Sequence, residues 1–317
     1  MSKKIWLIIA SALIIAGSLI FVGVMTVLKW DFTKLSTNRY IEKQYKITEE
    51  FKDISIDTDT ADITFLPADG QPRVECLEDE NAPYRVCVKE GTLEIKLQDN
   101  RKWYHHISIG FGSPKVTVYL PRGEYGALSI KTDTGDMKLP EEFTFTGMDI
   151  TATTGALKSS ASVSGAVNIK TTTGLIDVKN ISADSVSLSV STGNVTATDV
   201  TCAGEMKVKV STGKSKLTNI HCGSLWSEGN TGDMTLTNVV AAGSFSIERS
   251  TGDVKLEGCD AAELYITTDT GDVTGTLLTE KVFITHTDTG SIRVPESVNG
   301  GKCKITTDTG NIKISIK

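Results

Sequence analysis

Asp-Thr-Gly occurs four times in this 317-residue sequence, at 133–135, 269–271, 288–290 and 308–310. In aspartic proteases two such triplets face each other, and their carboxylates share one proton. That chemistry needs an isolated pair, held by separate lobes. Here the last three copies follow one another on a regular period, with their glycines at 271, 290 and 310. Elsewhere the place of the Asp is taken by Thr153, Thr172, Ser191, Ser211, Asn230 and Ser250. Asp, Asn, Ser and Thr exchange at turn positions because each bonds nearby backbone amides. The triplet is therefore a turn, and the protease reading falls.

The constant part is Thr-Gly. Its glycines are Gly135, Gly155, Gly174, Gly193, Gly213, Gly232, Gly252, Gly271, Gly290 and Gly310. Their even spacing, a period of about 20 residues, is the mark of a repeat architecture. Seven residues before each glycine the residue is apolar, and five before it is apolar except at Ser227 and Thr285. Two after it is apolar except at Ser215. Alternation at −7, −5, −3 and −1 is the period of a strand with one buried face. Short strands in a fixed 19–20-residue unit, without a helical period, predict an all-β fold. Each unit is one coil of a β-solenoid, parallel β-helix-like, with right-handed winding expected by analogy. Coils stack at about 4.8 Å, so like residues form columns along the axis, the −1 threonines among them.

A further copy, FKDISIDTDTADITFLP, puts Ala61 in the glycine position, with Ile54 at −7 and Ile56 at −5. Between it and Gly135 the repeat lapses. RVECL, YRVCVKE, TLEIKLQ and KVTVYLP read there as separate strands, with Glu90-Gly91 as a hairpin turn, forming an insertion that caps the stack. RKWYHHISIGFG, within it, is expected to pack on the cap.

The candidate sites follow from stacking. Asp269, Asp288 and Asp308 should lie about 5 Å apart on consecutive coils, with Asp272 across the glycine. Such carboxylates repel by only about 0.8 kcal/mol in water; solvated turn carboxylates are the plain reading and a weak calcium site the sharper one. Lys138, Lys158, Lys216, Lys255, Arg293 and Lys313 share position +3. They form a basic stripe broken by Asp177, either a solubilising surface or a groove for anionic wall polymer or lipid headgroups. Cys76 and Cys87 are candidate cross-strand disulfide partners. Cys202 and Cys222, each nine residues past its glycine, should meet on adjacent coils within disulfide range. Cys259 and Cys303 read as single occupants of apolar positions. With four histidines and no Cys-x-x-Cys, His-x-x-His, nucleophile elbow or phosphate loop, no catalytic grouping and no cofactor are expected. A net charge of −6 gives no reason to expect nucleic acid.

At the N-terminus, Ile5 to Leu28 carries no charge and exceeds the roughly 20 residues needed to cross a bilayer. It reads as a transmembrane helix rather than a cleaved signal. The expected organisation is a cytoplasmic tail (1–4), membrane helix (5–28), stalk (29–45), first coil with capping insertion (46–127) and solenoid (128–317). A short basic start favours export of the body, although Lys29, Lys34 and Arg39 weaken the charge bias.

The membrane segment, the D-T-x-A-D turn, the VTVYLP strand and the run of S/T-x-T-G-D/N-V coils together resemble the bacterial "putative adhesin" family of β-strand-repeat proteins, the LiaG-like group of unknown function. The resemblance spans about residues 41–317 and implies a cell-envelope solenoid near envelope-stress regulation. The expected function is a membrane-anchored, non-enzymatic extracytoplasmic solenoid for adhesion, scaffolding or sensing, with envelope proteins as partners. The alternatives are a carbohydrate-active β-helix enzyme using Asp269, Asp288 or Asp308, and a cytoplasm-facing scaffold. The latter would polymerise end to end through the uncapped C-terminal NIKISIK.

Overall fold

The structure, a computed structural model, describes residues 3–32, 39–99 and 113–317. RKWYHHISIGFG (101–112), with His105 and His106, lies outside the described residues. A helix, Lys3–Val27, precedes a body in which all strands belong to one continuous sheet wound into a solenoid. Neighbouring coils pair parallel and in register: Met148↔Val167↔Val186, Ile150↔Ile169↔Leu188 and Gly155↔Gly174↔Gly193. The −7 and −5 columns fill the interior, as expected from their period.

Glycine is required at the turn for two reasons. Gly174 has φ 144°, which side-chain-bearing residues rarely adopt, and a Cβ there would fall on the carbonyl oxygen of Gly155 in the coil below. The −1 threonines do stack (Thr134↔Thr154↔Thr173), but they face solvent, contrary to the alternation read from sequence. The inward run ends at −3 because the chain is already turning toward the glycine. A second corner follows at +6, where Asn180, Asp199, Asn219 and Asn238 adopt φ of 53–55° and Gly258 adopts 62°. Asn tolerates this left-handed region, and its amide continues the stack: Asn219 Nδ2 donates to Asp199 Oδ1 at 2.8 Å, and Asn238 Nδ2 to Asn219 Oδ1 at 3.1 Å. Beyond it, Ile181, Val200, Ile220 and Val239 form a further inward column.

The coils do not stack in sequence order at either end. Strand Gly301–Thr309 pairs with the Gly271 coil on one side (Leu264↔Cys303) and with strand Lys281–Thr289 on the other (Phe283↔Cys303). Ile312–Ile316 likewise lies between Val273–Leu277 and Ile292–Arg293. The last coil is thus inserted between the two before it. NIKISIK is not the open end; that edge is formed by the Gly290 coil, where Ile284 and Ile292 are exposed.

At the other end, Thr92–Leu97 and Lys115–Leu120 form a coil of their own, parallel to Asp53–Thr60 and Asp62–Pro67 (Leu93↔Ile54, Val116↔Ile63). The true cap is antiparallel. Tyr84–Lys89 pairs with Thr92–Leu97 through a turn at Glu90-Gly91, and Arg73–Asp79 pairs with Lys115–Leu120. Tyr40–Lys46, expected as stalk, closes the edge against Arg73–Asp79. In this cap Glu78 is fully buried; its carboxylate accepts the Tyr84 N–H at 2.7 Å and the Tyr45 hydroxyl at 3.2 Å, and pairs with Lys43.

Candidate functional site

The aspartates singled out by sequence fall into two groups with different work. Asp269, Asp308 and Asp288 face solvent in that order along the axis, since the Gly310 coil lies between the other two. His286 Nε2 lies 2.9 Å from Asp288 Oδ1, with both side chains about two-thirds exposed. Asp272 is engaged elsewhere: its Oδ1 accepts the backbone N–H of Asn311 at 2.7 Å and the Asn311 amide at 3.2 Å. Asp272 is thus committed to the corner, while the other three stand in one exposed column on adjacent coils. Among the described residues, no group of three or more His, Cys, Asp and Glu side chains is placed to hold a metal.

Asp272 is one rung of a ladder that the sequence reading missed. At +1 each carboxylate or amide oxygen accepts the +1 N–H of the next coil. Asp62 takes Asp136, Asp136 takes Ala156, Asn194 takes Lys214, Asp253 takes Asp272, and Asn311 takes Ser291, at 2.8–3.0 Å. These amides lie at the corner, where strand pairing is interrupted, so a side-chain acceptor substitutes for the missing carbonyl. The D/N after Thr-Gly is therefore a coil-to-coil fastener. In the same column Lys214 pairs with Asp233 at 3.1 Å, and this bond, followed by the N–H of Asp253, holds the Asp233 carboxyl below its ordinary range.

The basic stripe at +3 is exposed and discontinuous. Along the axis it runs Lys138, Lys158, Asp177, Thr196, Lys216, Thr235, Lys255, Thr274, Lys313 and Arg293. Lys255 is taken up by Glu257 at 2.6 Å.

All six cysteines are free thiols. Cys76 and Cys87 are not partners: Cys76 lies opposite Lys43 and Val116, and Cys87 opposite Glu94. Their strands are not adjacent, because each pairs with a different half of the first coil. Cys202 and Cys222 do stand in register on neighbouring coils, both buried. The hydrogen bond between these thiols lowers Cys202 and raises Cys222. Cys259 and Cys303 occupy apolar columns, as their isolation suggested.

Two of the three exceptions to the apolar columns, Ser215 and Ser227, converge on one side chain. Arg249, at −3, is 1% exposed; its Nη2 lies 2.8 Å from Ser227 Oγ, 3.3 Å from Ser215 Oγ and 3.2 Å from Met234 Sδ. Gly229 makes room for it, since a Cβ there would collide with the guanidinium. Its Nε has no hydrogen-bond partner among the described residues, and burial pulls its pKa down to about 10, so the group stays charged at neutral pH.

The chain belongs to the Toastrack DUF4097 family, whose model matches residues 51–225 and again 201–317. No curated protein matches it in sequence. Among solved structures, it is similar to a "putative adhesin" from Parabacteroides distasonis (12% identity, TM-score 0.49, 87% of this chain and 98% of that one). A "putative lipid binding protein" from the same organism has 14% identity, TM-score 0.46 and coverage of 88% and 98%. A "putative adhesin" from Bacteroides fragilis has 15% identity, TM-score 0.37 and coverage of 87% and 97%. These likenesses are too distant to bear on function.

Proposed function

We propose that the protein is a non-enzymatic, membrane-anchored solenoid that holds a rigid β surface outside the cell as a contact or scaffold for other envelope components. The observation that carries this reading is the helix. The most apolar stretch of Lys4–Val27 has no part buried against the body, and Ile8, Leu13 and Ile14 are 67–69% exposed. A helix of 24 residues, uncharged after Lys4 and bare of cover on its leucines and isoleucines, is at home in hydrocarbon and costly in water. The body supplies the complementary half: its strands are paired into one stack, and its outward columns are polar. Asp269, Asp308 and Asp288 stand in one solvent-exposed column, spread over three coils rather than gathered at one point, which weighs against the carbohydrate-active alternative. A cleaved signal would satisfy the same helix, and its product would be the same solenoid, released.

The test is impermeant-maleimide labelling of intact cells. Glu296→Cys places a thiol on an exposed loop. Five of the six native thiols are buried, and Cys87→Ser removes the half-buried one. Labelling before lysis, with the protein in the membrane fraction, is the expected result. Labelling only after lysis would sink the exported model.

A further inference from the structure

Three of the four buried side-chain polar atoms that lack a hydrogen-bond partner among the described residues line one pocket: Glu142 Oε2, Ser159 Oγ and Asp177 Oδ1. The pocket has a volume of about 400 Å³ and opens at the corner shared by the Gly135, Gly155 and Gly174 coils. The other charged residues of its wall are Lys138, Lys158, Lys179 and Glu141.

Two of these residues break the rules of their columns. Ser159 is 2% exposed, and its in-register neighbours are Leu139 and Val178, both buried. The stack asks for an aliphatic side chain here and receives a hydroxyl that bonds nothing. Asp177 stands in the +3 column next to Lys158, where the preceding two coils carry lysine. Only its Oδ2 is engaged, by Lys179 at 3.4 Å. Buried polar atoms are nearly always satisfied, and a buried acceptor left unmet is costly.

The chemistry of the wall defines what would meet these atoms. The two carboxylate oxygens can only accept, so the occupant must bring hydrogen-bond donors. Lys179 is already paired with Asp177, and Lys138 and Lys158 offer positive charge to an anionic group beside the carboxylates. Adjacent hydroxyls joined to an anionic group satisfy both demands at once. We propose that this pocket binds an anionic polyol, a small molecule or polymer unit carrying vicinal hydroxyls and a phosphate or carboxylate. Its volume lies within the range of small-ligand sites. The site is independent of whether the solenoid acts as an adhesin or scaffold.

Calorimetric titration of the full chain in detergent micelles tests it. The probes are glycerol 3-phosphate, glycerophosphoglycerol and glucuronate, with glycerol, inorganic phosphate and calcium chloride as comparisons. We expect saturable binding of at least one anionic polyol, at least ten-fold tighter than phosphate or glycerol. Preference for the diester points to a polymer or lipid headgroup, and preference for the monoester or glucuronate to a free solute. Ser159→Ala should weaken binding at least ten-fold with the melting temperature unchanged, since its column neighbours are aliphatic. Glu142→Leu, which removes the acceptor outright, supplies the same test if Ser159→Ala disturbs folding. Four results would each overturn the proposal: no heat with any anionic polyol, affinity equal to that of phosphate, indifference to both substitutions, or preferential binding of calcium. The first would mean that the pocket holds only water.

Discussion

Asp272 Oδ1 accepts the backbone N–H of Asn311 at 2.7 Å, although 39 residues of chain separate them. The intervening Gly290 coil is not between them in space. Asn311 in turn accepts the N–H of Ser291, so the order 272, 311, 291 is written in the fasteners as well as in the strand pairing. Asp272→Ala removes both bonds to Asn311 and should cost about 1 kcal/mol, the scale of an exposed hydrogen bond. Asp272→Asn keeps an acceptor and should melt within a degree or two of the parent. Thermal unfolding followed by circular dichroism distinguishes the two.

Because the last coil is internal, its removal should do more than shorten the rod. A chain ending at Asn299 leaves Lys281–Thr289 without Gly301–Thr309, its one in-register partner strand among the described residues. We expect residues 278–299 to become protease-sensitive in that truncation while cleavage elsewhere is unchanged. Resistance across 278–299 would show that the Gly290 coil can pair directly with the Gly271 coil.

Arg249 is a buried charge held by hydroxyls and a thioether, without a carboxylate in contact. Ser227→Ala leaves the guanidinium short of its best partner and should cost about 1–3 kcal/mol. Arg249→Met, of similar length, should be neutral or stabilising by about 1–4 kcal/mol, since it relieves the desolvation of a full charge. Denaturant midpoints at constant slope measure both. A marked loss of stability in Arg249→Met would mean that the arginine holds the stack together.

The thiols of Cys202 and Cys222 are placed for an inter-coil disulfide. Treatment with a small disulfide oxidant should yield one cross-linked peptide pair, Cys202–Cys222, with Cys76, Cys259 and Cys303 still alkylatable after unfolding. Closing a loop of this size adds up to about 3 kcal/mol. Peptide mapping under non-reducing conditions reads the result, and a Cys76–Cys87 link would contradict the strand arrangement.

High pH should weaken the body in a defined window. Burial pushes Tyr84, Cys76 and Cys303 each up to about 12. These acids stay neutral in the folded protein while their unfolded counterparts ionise from about pH 9 for the thiols and 10 for the phenol. Their stabilising contribution is complete below those values and is lost progressively as pH rises to 12. Tyr84→Phe should flatten part of the decline, at the cost of the 2.8 Å bond to Thr58. Melting temperatures between pH 8 and 12 test it.

Much of this architecture was legible because the columns repeat one instruction ten times. Apolar residues at −7 and −5 and the glycine fix where each coil buries and bends. Stacking order was not legible: coils ending at Gly271, Gly290 and Gly310 share Asp-Thr-Gly, and any of them could pair with either other. One residue did carry a hint. Thr285, polar at −5, fits a coil with only one covered side, which is where the structure puts it. The first coil was hidden because Leu93 and Ile95 match Ile54 and Ile56, but no Thr-Gly follows them; a long segment replaces the turn. Ser215 and Ser227 look like isolated exceptions in the sequence, and only their convergence on Arg249 explains them. The +1 aspartates were read as surface charge because a hydrogen bond to the neighbouring coil leaves no local signature.

The position of Gly301–Ile316 also sets the order of events when the chain is made. A solenoid stacked in sequence could grow coil by coil behind the ribosome or the export channel, each new turn resting on the last. Here the Gly290 coil emerges first and has no permanent seat until Gly301–Thr309 and Ile312–Ile316 have followed it and slid in beneath. At that end of the rod the order of synthesis and the order of stacking differ: the strand that stands outermost is made before the one that supports it.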